Sequence, residues 1–457
     1  MWIEHQHGGD VGGERSEHEW DNHERFGAAD GGGTSGAPPA APGGTSGSSS
    51  AVYPTSAAYT QSGGSKTEDG NSYTATEQDQ SAILVSDSGT LAVTNATIKT
   101  TGDSSSNDSS SFYGLNAAVV AAGGSAITLS DSSISTAGSG ANGAFATGEG
   151  SSVTLSKVKI DATGGGGHGV MATQGGSATL TDVDIATAGA NSAPLATDRG
   201  GGTITATGGT AVASGKDSPA LYSTGTITVN GGTYKATGAE AAVIEGANSI
   251  ILNDVTLSST MADKWGVMIY QSMSGDAEGA QGTFTMTGGS LEYSGANGPL
   301  FYVTNTTADI ALKNVTVNAD SGVLLKAATG NWGNTGSNGG TANLVADGQS
   351  LTGNVVADSI SSVDMTLQNS SSLSGSINSD NAAKDARLTL DASSTWNVTA
   401  DSYLNGLMLT GGISGTTITN ITGNGHTVYY DATDSANSAL GGQTYSLNGG
   451  GTLQPAV

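Results

Sequence analysis

Nine segments of one short pattern return along this chain and hold phase. Each reads apolar, any residue, apolar, four residues, apolar. They are LAVTNATI at 91, ITLSDSSI at 127, VTLSKVKI at 153, ATLTDVDI at 178, ITATGGTA at 204, ITVNGGTY at 227, IILNDVTL at 250, FTMTGGSL at 284 and IALKNVTV at 310. The central apolar residues are Val93, Leu129, Leu155, Leu180, Ala206, Val229, Leu252, Met286 and Leu312, at steps of 36, 26, 25, 26, 23, 23, 34 and 26 residues. Alternation with period two is the signature of strand. Two residues after each central position stands Asn95, Asp131, Lys157, Asp182, Gly208, Gly231, Asp254, Gly288 or Asn314. All but Lys157 are types that tolerate positive φ, so a fixed bend between two short strands is expected there.

A second apolar column lies between these segments, anchored at Phe145, Met171, Leu195, Leu221, Val243, Met268, Leu300 and Leu324. Units of this length, with at least two strand faces at nearly constant phase, are solenoid repeats, each stacking on its neighbour to bury a shared core. Leucine-rich repeats would need a helical segment, and no helix periodicity is present. The expectation is an all-β fold, one parallel β-helix (β-solenoid) of roughly 12–14 coils. Gly makes up 72 of 457 residues and charged residues only 12%. Disordered chains share such a composition, but they have no reason to keep nine units in phase.

Residues 1–50 are Gly/Ser/Pro-rich and are expected to be a disordered tail, its His5, His7, His18 and His23 solvated rather than scaffolded for metal. The span 51–82 is read as an N-terminal cap and 83–345 as the repeats. Over 346–430 the dialect changes, with Leu351, Leu373, Trp396 and Ile418 at steps of 22, 23 and 22, and 431–457 is read as a C-terminal cap and tail. Solenoids need atypical end units, because a bare last coil exposes core and an open strand edge.

The formal net charge is −26, which speaks against nucleic acid and anionic lipid as partners. Cys is absent, which removes thiolate chemistry and Cys–zinc sites. No apolar run approaches a membrane span. The opening MWIEHQHGGDVGGERSEHEW is polar and unlike a signal peptide.

The 83–345 region resembles right-handed parallel β-helix repeat proteins of the pectate-lyase-like superfamily. RLTLDASSTWNVTADSYLNGLMLTGGIS, from Arg387, resembles the C-terminal coils of pertactin-like autotransporter passengers, here without their membrane barrel. The resemblance implies a right-handed coil and a bacterial adhesin displayed outside the cell or on its surface. Surface glycans or proteins of a host or neighbouring cell would then be its partners.

Catalytic chemistry is weakly represented. Arg199 and Arg387, the arginines within the solenoid, are far apart. Asp131 and Asp182 are read as turn residues rather than as a glycosidase pair, and His168 and His426 as isolated. GDSSSNDSSS at 102 is oxygen-rich like a calcium loop but lacks its glycine and closing Glu, so a solvated loop is expected. No cofactor is expected beyond weak calcium. Two long steps carry insertions, at 100–113 and 271–282, and insertions in solenoids become projecting loops on a binding face. Phe112, Tyr113, Trp265 and Tyr270 flank them and are the candidate ligand-binding residues. Removing 103–110 is expected to leave the solenoid folded. The leading expectation is a non-enzymatic, adhesin-like binding surface or stalk. The alternatives are a carbohydrate-active lyase or hydrolase, and a structural filament or spacer.

Overall fold

A computed structural model describes residues 52–273 and 277–456. The expected tail at 1–50 lies outside the described residues, as does the middle of the second insertion. The described chain is all-β, a single parallel β-solenoid of about 16 turns rather than 12–14. The first turn opens before residue 83: Ser56–Ser62, Ser65–Asp69 and Ser72–Ala75 already pair in parallel with the coil that follows. Its inward positions Lys66 and Glu68 sit over Leu91 and Val93, so the first described coil lays a polar layer on the apolar stack.

Three sheets run the length of the coil. A first, of 12 strands, runs from Ser56–Ser62 to Asn354–Ala357. The second, of 14, runs from Ser65–Asp69 to Gly406–Leu409, and the third, of 10, from Ser72–Ala75 to Thr316–Ala319. The central residues from Val93 to Leu312 form one continuous in-register stack in the second sheet. The last apolar residue of each segment, Ile98 to Val317, forms the matching stack in the third. All nine bend residues between the two sheets have positive φ, from 48° at Asp131 to 70° at Gly231, and Lys157 is held there too at 53°. Each buried Leu or Ile contributes about 1.5–3 kcal/mol, and stacking like on like repeats that gain at every coil.

A column of glycines fixes the corner after the third sheet. A Cβ on Gly138, Gly164, Gly189, Gly215 or Gly238 would collide with the carbonyl oxygen of Gly102, Gly138, Gly164, Gly189 or Gly215 respectively. Backbone here approaches backbone directly, which only glycine allows.

Two expected alignments are corrected. The second apolar column is two columns. Leu195, Leu221, Leu300 and Leu324 point into the common core, whereas Phe145, Met171, Val243 and Met268 belong to a separate apolar cluster on the outer face of the first sheet. One-residue slips in phase separate them, because these strands are apolar on both faces and alternation cannot choose between them. In the C-terminal coils Leu351, Leu373 and Trp396 stack as expected, but Trp396 pairs with Ile421 and not Ile418.

Past Thr316–Ala319 the third sheet gives way to a nine-stranded sheet beginning at Ser350–Thr352. The end is closed by antiparallel pairs, Ile413–Ser414 on Thr417–Thr422 and Tyr445–Asn448 on Thr452–Pro455. A 3₁₀ helix, Ser435–Leu440, docks beside them. Its N-cap Asp434 accepts from Arg387 Nη2 at 2.7 Å, and Arg387 Nε donates to Asp385 at 2.7 Å, so the solenoid's late arginine clamps the cap.

Candidate functional sites on two faces

The outer face of the first sheet carries all four candidate aromatics. The first insertion does not project. Asn107–Tyr113 is a short helix, N-capped by Ser106 and ended by Gly114 at φ 77°, with Ser109 to Phe112 buried. Ser110 Oγ bonds Gly140 O, and Asn142 Nδ2 donates to Ser110 O at 3.1 Å. Gly114 lies against the Phe145 ring, where a Cβ would stand 2.8 Å from it. Thr173 Oγ1 donates to the Phe112 carbonyl at 2.8 Å, and the Arg199 guanidinium lies 3.9 Å over the Phe112 ring. Tyr113 meets Tyr53 at 4.5 Å. The insertion is a plate lying on the apolar outer cluster, and its Ser-rich face bonds to the coils beneath.

Trp265 and Tyr270 lie on the same sheet face, several coils on. Tyr293 fills a core position held by Ala or Thr in most earlier coils, and its hydroxyl donates to Lys264 O at 2.6 Å. That bond shapes the segment leading to Trp265, which stacks on Tyr302 at 4.4 Å and 18°. Tyr270 packs on Trp332 at 4.8 Å. Glu245, which the sequence reading did not single out, sits at the centre. Tyr222 Oη and Tyr270 Oη donate to its Oε2 at 2.7 and 2.9 Å, and Ser272 Oγ donates to Oε1. Burial, then the charge of Glu245, pushes both phenols well above the ordinary tyrosine value. Glu245 is 2% exposed and accepts from three hydroxyls, which makes it the hub of a buried polar network rather than an open general base. Phe112 and Tyr270 are buried, while Tyr113 and Trp265 are partly exposed. The signal for this face was the run of apolar residues on both sides of strands such as VMAT and VMIY.

His168 is buried in a corner. Its Nδ1 accepts the Ala193 N–H at 3.0 Å, while its own backbone N–H donates to Asn142 Oδ1 at 2.8 Å. Burial lowers its pKa to about 4. Asp131 and Asp182 occupy bends at φ 48° and 50°. Among the described residues no group of three or more His, Asp or Glu is placed to hold a metal, and no helix is long and apolar enough to cross a membrane.

The outer face of the second sheet has the opposite character. Eight successive strands, from Thr90–Thr94 to Gln281–Thr287, turn out the same three side-chain positions in unbroken register, the last adding Gln281. Its rows read Ser152, Thr154, Ser156; Ser177, Thr179, Thr181; Thr203, Thr205, Thr207; and, at the far end, Thr283, Thr285, Thr287. Of the 24 side chains, 14 are Thr and five Ser, and none is charged. Strand geometry sets the spacing at about 4.8 Å across strands and about 6.7 Å along them, a plane of roughly 34 by 13 Å. Asp69 bounds it on one side, and Asp309 and Lys313 on the other. Compared with family models, curated proteins and solved structures, the chain matches none.

Proposed function

We propose that this chain is a non-enzymatic, adhesin-like β-solenoid that acts outside the cell or on its surface, and that the hydroxyl panel of its second sheet is the plane that binds. The supporting observation is a charge-free face held over eight coils of a chain whose net charge is −26. Neutrality is not a by-product of the coil. On the same turns the third sheet turns out Lys99, Asp161, Lys235 and Glu292. A neutral, flat face repels no neutral partner and has no groove for a small one. Its partner is therefore another extended neutral surface, such as a glycan layer or an uncharged solid. The pertactin-like run from Arg387 agrees with display on a surface. The carbohydrate-active reading is less well supported, because Asp131 and Asp182 serve bends and Glu245 is engaged by three hydroxyls.

The test is retention of protein-coated beads on ice, crystalline cellulose, chitin and glycan-bearing cells. Retention on any of them, lost when Thr179, Thr205 and Thr228 are all changed to Lys, supports the reading. Equal retention of both forms removes the panel from the role. Release of reducing or unsaturated sugars from a polysaccharide would establish the enzymatic reading in its place, and ordered fibres by electron microscopy the filament reading.

A further inference from the structure

Resting on that reading of the panel, we infer that its partner is ice, a neutral solid whose surface is a periodic plane of hydrogen-bonding oxygens. Three features of the panel select it. The first is two-dimensional order. The rows repeat across strands at about 4.8 Å and along them at about 6.7 Å, and the oxygen rows on the prism faces of hexagonal ice repeat at intervals close to both. A polymer chain would match one direction only. No register shift interrupts the second sheet from Thr90–Thr94 to Thr307–Lys313.

The second feature is stiffness. Thr is β-branched and keeps few rotamers on a strand, so hydroxyl and methyl hold fixed places before any partner arrives. Water ordered on such a plane is positioned by the protein rather than by the growing crystal. The third is availability. The central row runs Ala92, Thr128, Thr154, Thr179, Thr205, Thr228, Ile251, Thr285, and none of its six hydroxyls bonds to a protein partner among the described residues. Those that do lie in the flanking columns, where Ser249 donates to Thr226 at 3.3 Å and Thr94 to Asp69 at 2.7 Å. The first insertion folds over the first sheet, so this plane is left uncovered by it.

The panel differs in this from the outward faces of the first and third sheets; the shorter sheet beginning at Ser350–Thr352 is also neutral outside, with Ser350, Thr352, Ser372, Ser374 and Thr395. On the first sheet the outward residues are mostly apolar and buried, with Glu245 and Lys326 among them, and on the third they mix Lys, Asp, Glu and Thr. A charge on the plane would carry its own oriented hydration shell, which a lattice of neutral water cannot continue. The 24 positions contain none.

The full chain is tested by slow growth of ice into its solution, with the protein in the ice and liquid fractions measured, and by the gap between melting and freezing points at a seeded crystal. Two variants accompany it. One carries Thr179→Lys, Thr205→Lys and Thr228→Lys. The other places the same charges on the third sheet as Ser135→Lys, Ala186→Lys and Val212→Lys. Far-UV circular dichroism establishes that both keep the strand spectrum. The expected result is that the wild type and the third-sheet variant enter the ice and open a freezing gap, and that the panel variant is excluded and loses the gap. Entry of the panel variant into ice would overturn the assignment to this face. Exclusion of the wild type, with Lys-sensitive retention on cellulose or chitin, would overturn ice as the partner and leave the panel as the binding plane. No retention on any solid would overturn both.

Discussion

The corner that holds His168 predicts a pH dependence of stability with a defined window. The side chain is 1% exposed, and its Nδ1 accepts the Ala193 N–H, so the ring proton is on Nε2. A second proton would put donor against donor in a site that water cannot reach. Burial accordingly lowers the pKa from 6.5 to about 4. Between those values the unfolded chain binds a proton that the folded coil refuses, so stability falls as pH falls. The contribution is complete above about 6.5 and exhausted below about 4, and over the whole window the loss is about 3 kcal/mol. At pH 5 it amounts to about 2 kcal/mol relative to neutral pH. The lowered carboxylates act in a lower window. Burial pushes the Asp391 carboxyl up, but donors from Asn369, Ser394 and Ser393 together hold it at about 2, so it costs stability only as pH drops below its ordinary 3.8. The control is built into the coil. One turn earlier Asn142 Oδ1 accepts the His168 N–H as His168 Nδ1 accepts that of Ala193, so His168→Asn keeps the acceptor and removes the titration. Urea unfolding of both forms at pH 7 and pH 5 should show the wild type losing about 2 kcal/mol more than the variant. Imidazole carbon shifts should titrate near 4. Equal losses in the two proteins, or a titration near 6.5, would refute a dry, acceptor-only His168.

Other perturbations follow from the same stacks. Leu180→Asp buries an unpaired carboxylate between Leu155 and Ala206 and should cost more than about 4 kcal/mol; an unchanged melting temperature would place Leu180 on the other face. Lys157→Asn should stabilise by about 1 kcal/mol, because Asn accepts the left-handed bend that Lys157 occupies under strain, and a fall in melting temperature would contradict this. Removing 103–110, expected from the sequence to be neutral, should instead lower stability by about 3 kcal/mol, since it strips the plate from the fully buried Phe145. A deletion variant that melts with the wild type would return the segment to a projecting loop.

The solenoid was legible because two of its three faces obey a simple code. On the second and third sheets one side faces core and the other solvent, so alternation fixes the phase from Val93 to Leu312 and from Ile98 to Val317 without error. Even Lys157, the odd residue at its position, takes the bend, because its neighbours above and below impose it. The first sheet broke the code. Its outer side is also apolar, so Phe145 and Leu195 read alike although they point in opposite directions. The same ambiguity hid the plate at Asn107–Tyr113: nothing in a Ser-rich insertion announces that a dry surface awaits it. Glu245 was missed because its donors come from two segments far from it in sequence, Tyr222 on one side and Tyr270 with Ser272 on the other. The panel was present in the sequence as outward Ser and Thr, but its flatness depends on register between coils, which a single chain does not spell out.

The glycine column acts as a ruler. Because backbone meets backbone at Gly138, Gly164, Gly189, Gly215 and Gly238, the rise per turn at that corner is set without side chains. Core volume varies widely along the second sheet, from Ala206 to Phe284. Such variation can widen or narrow the cross-section, but at this corner it has no lever on the pitch. Graduations along the molecule therefore stay even while its girth changes. A methyl group on any one of these glycines would spread two graduations apart and displace every mark beyond it relative to those before.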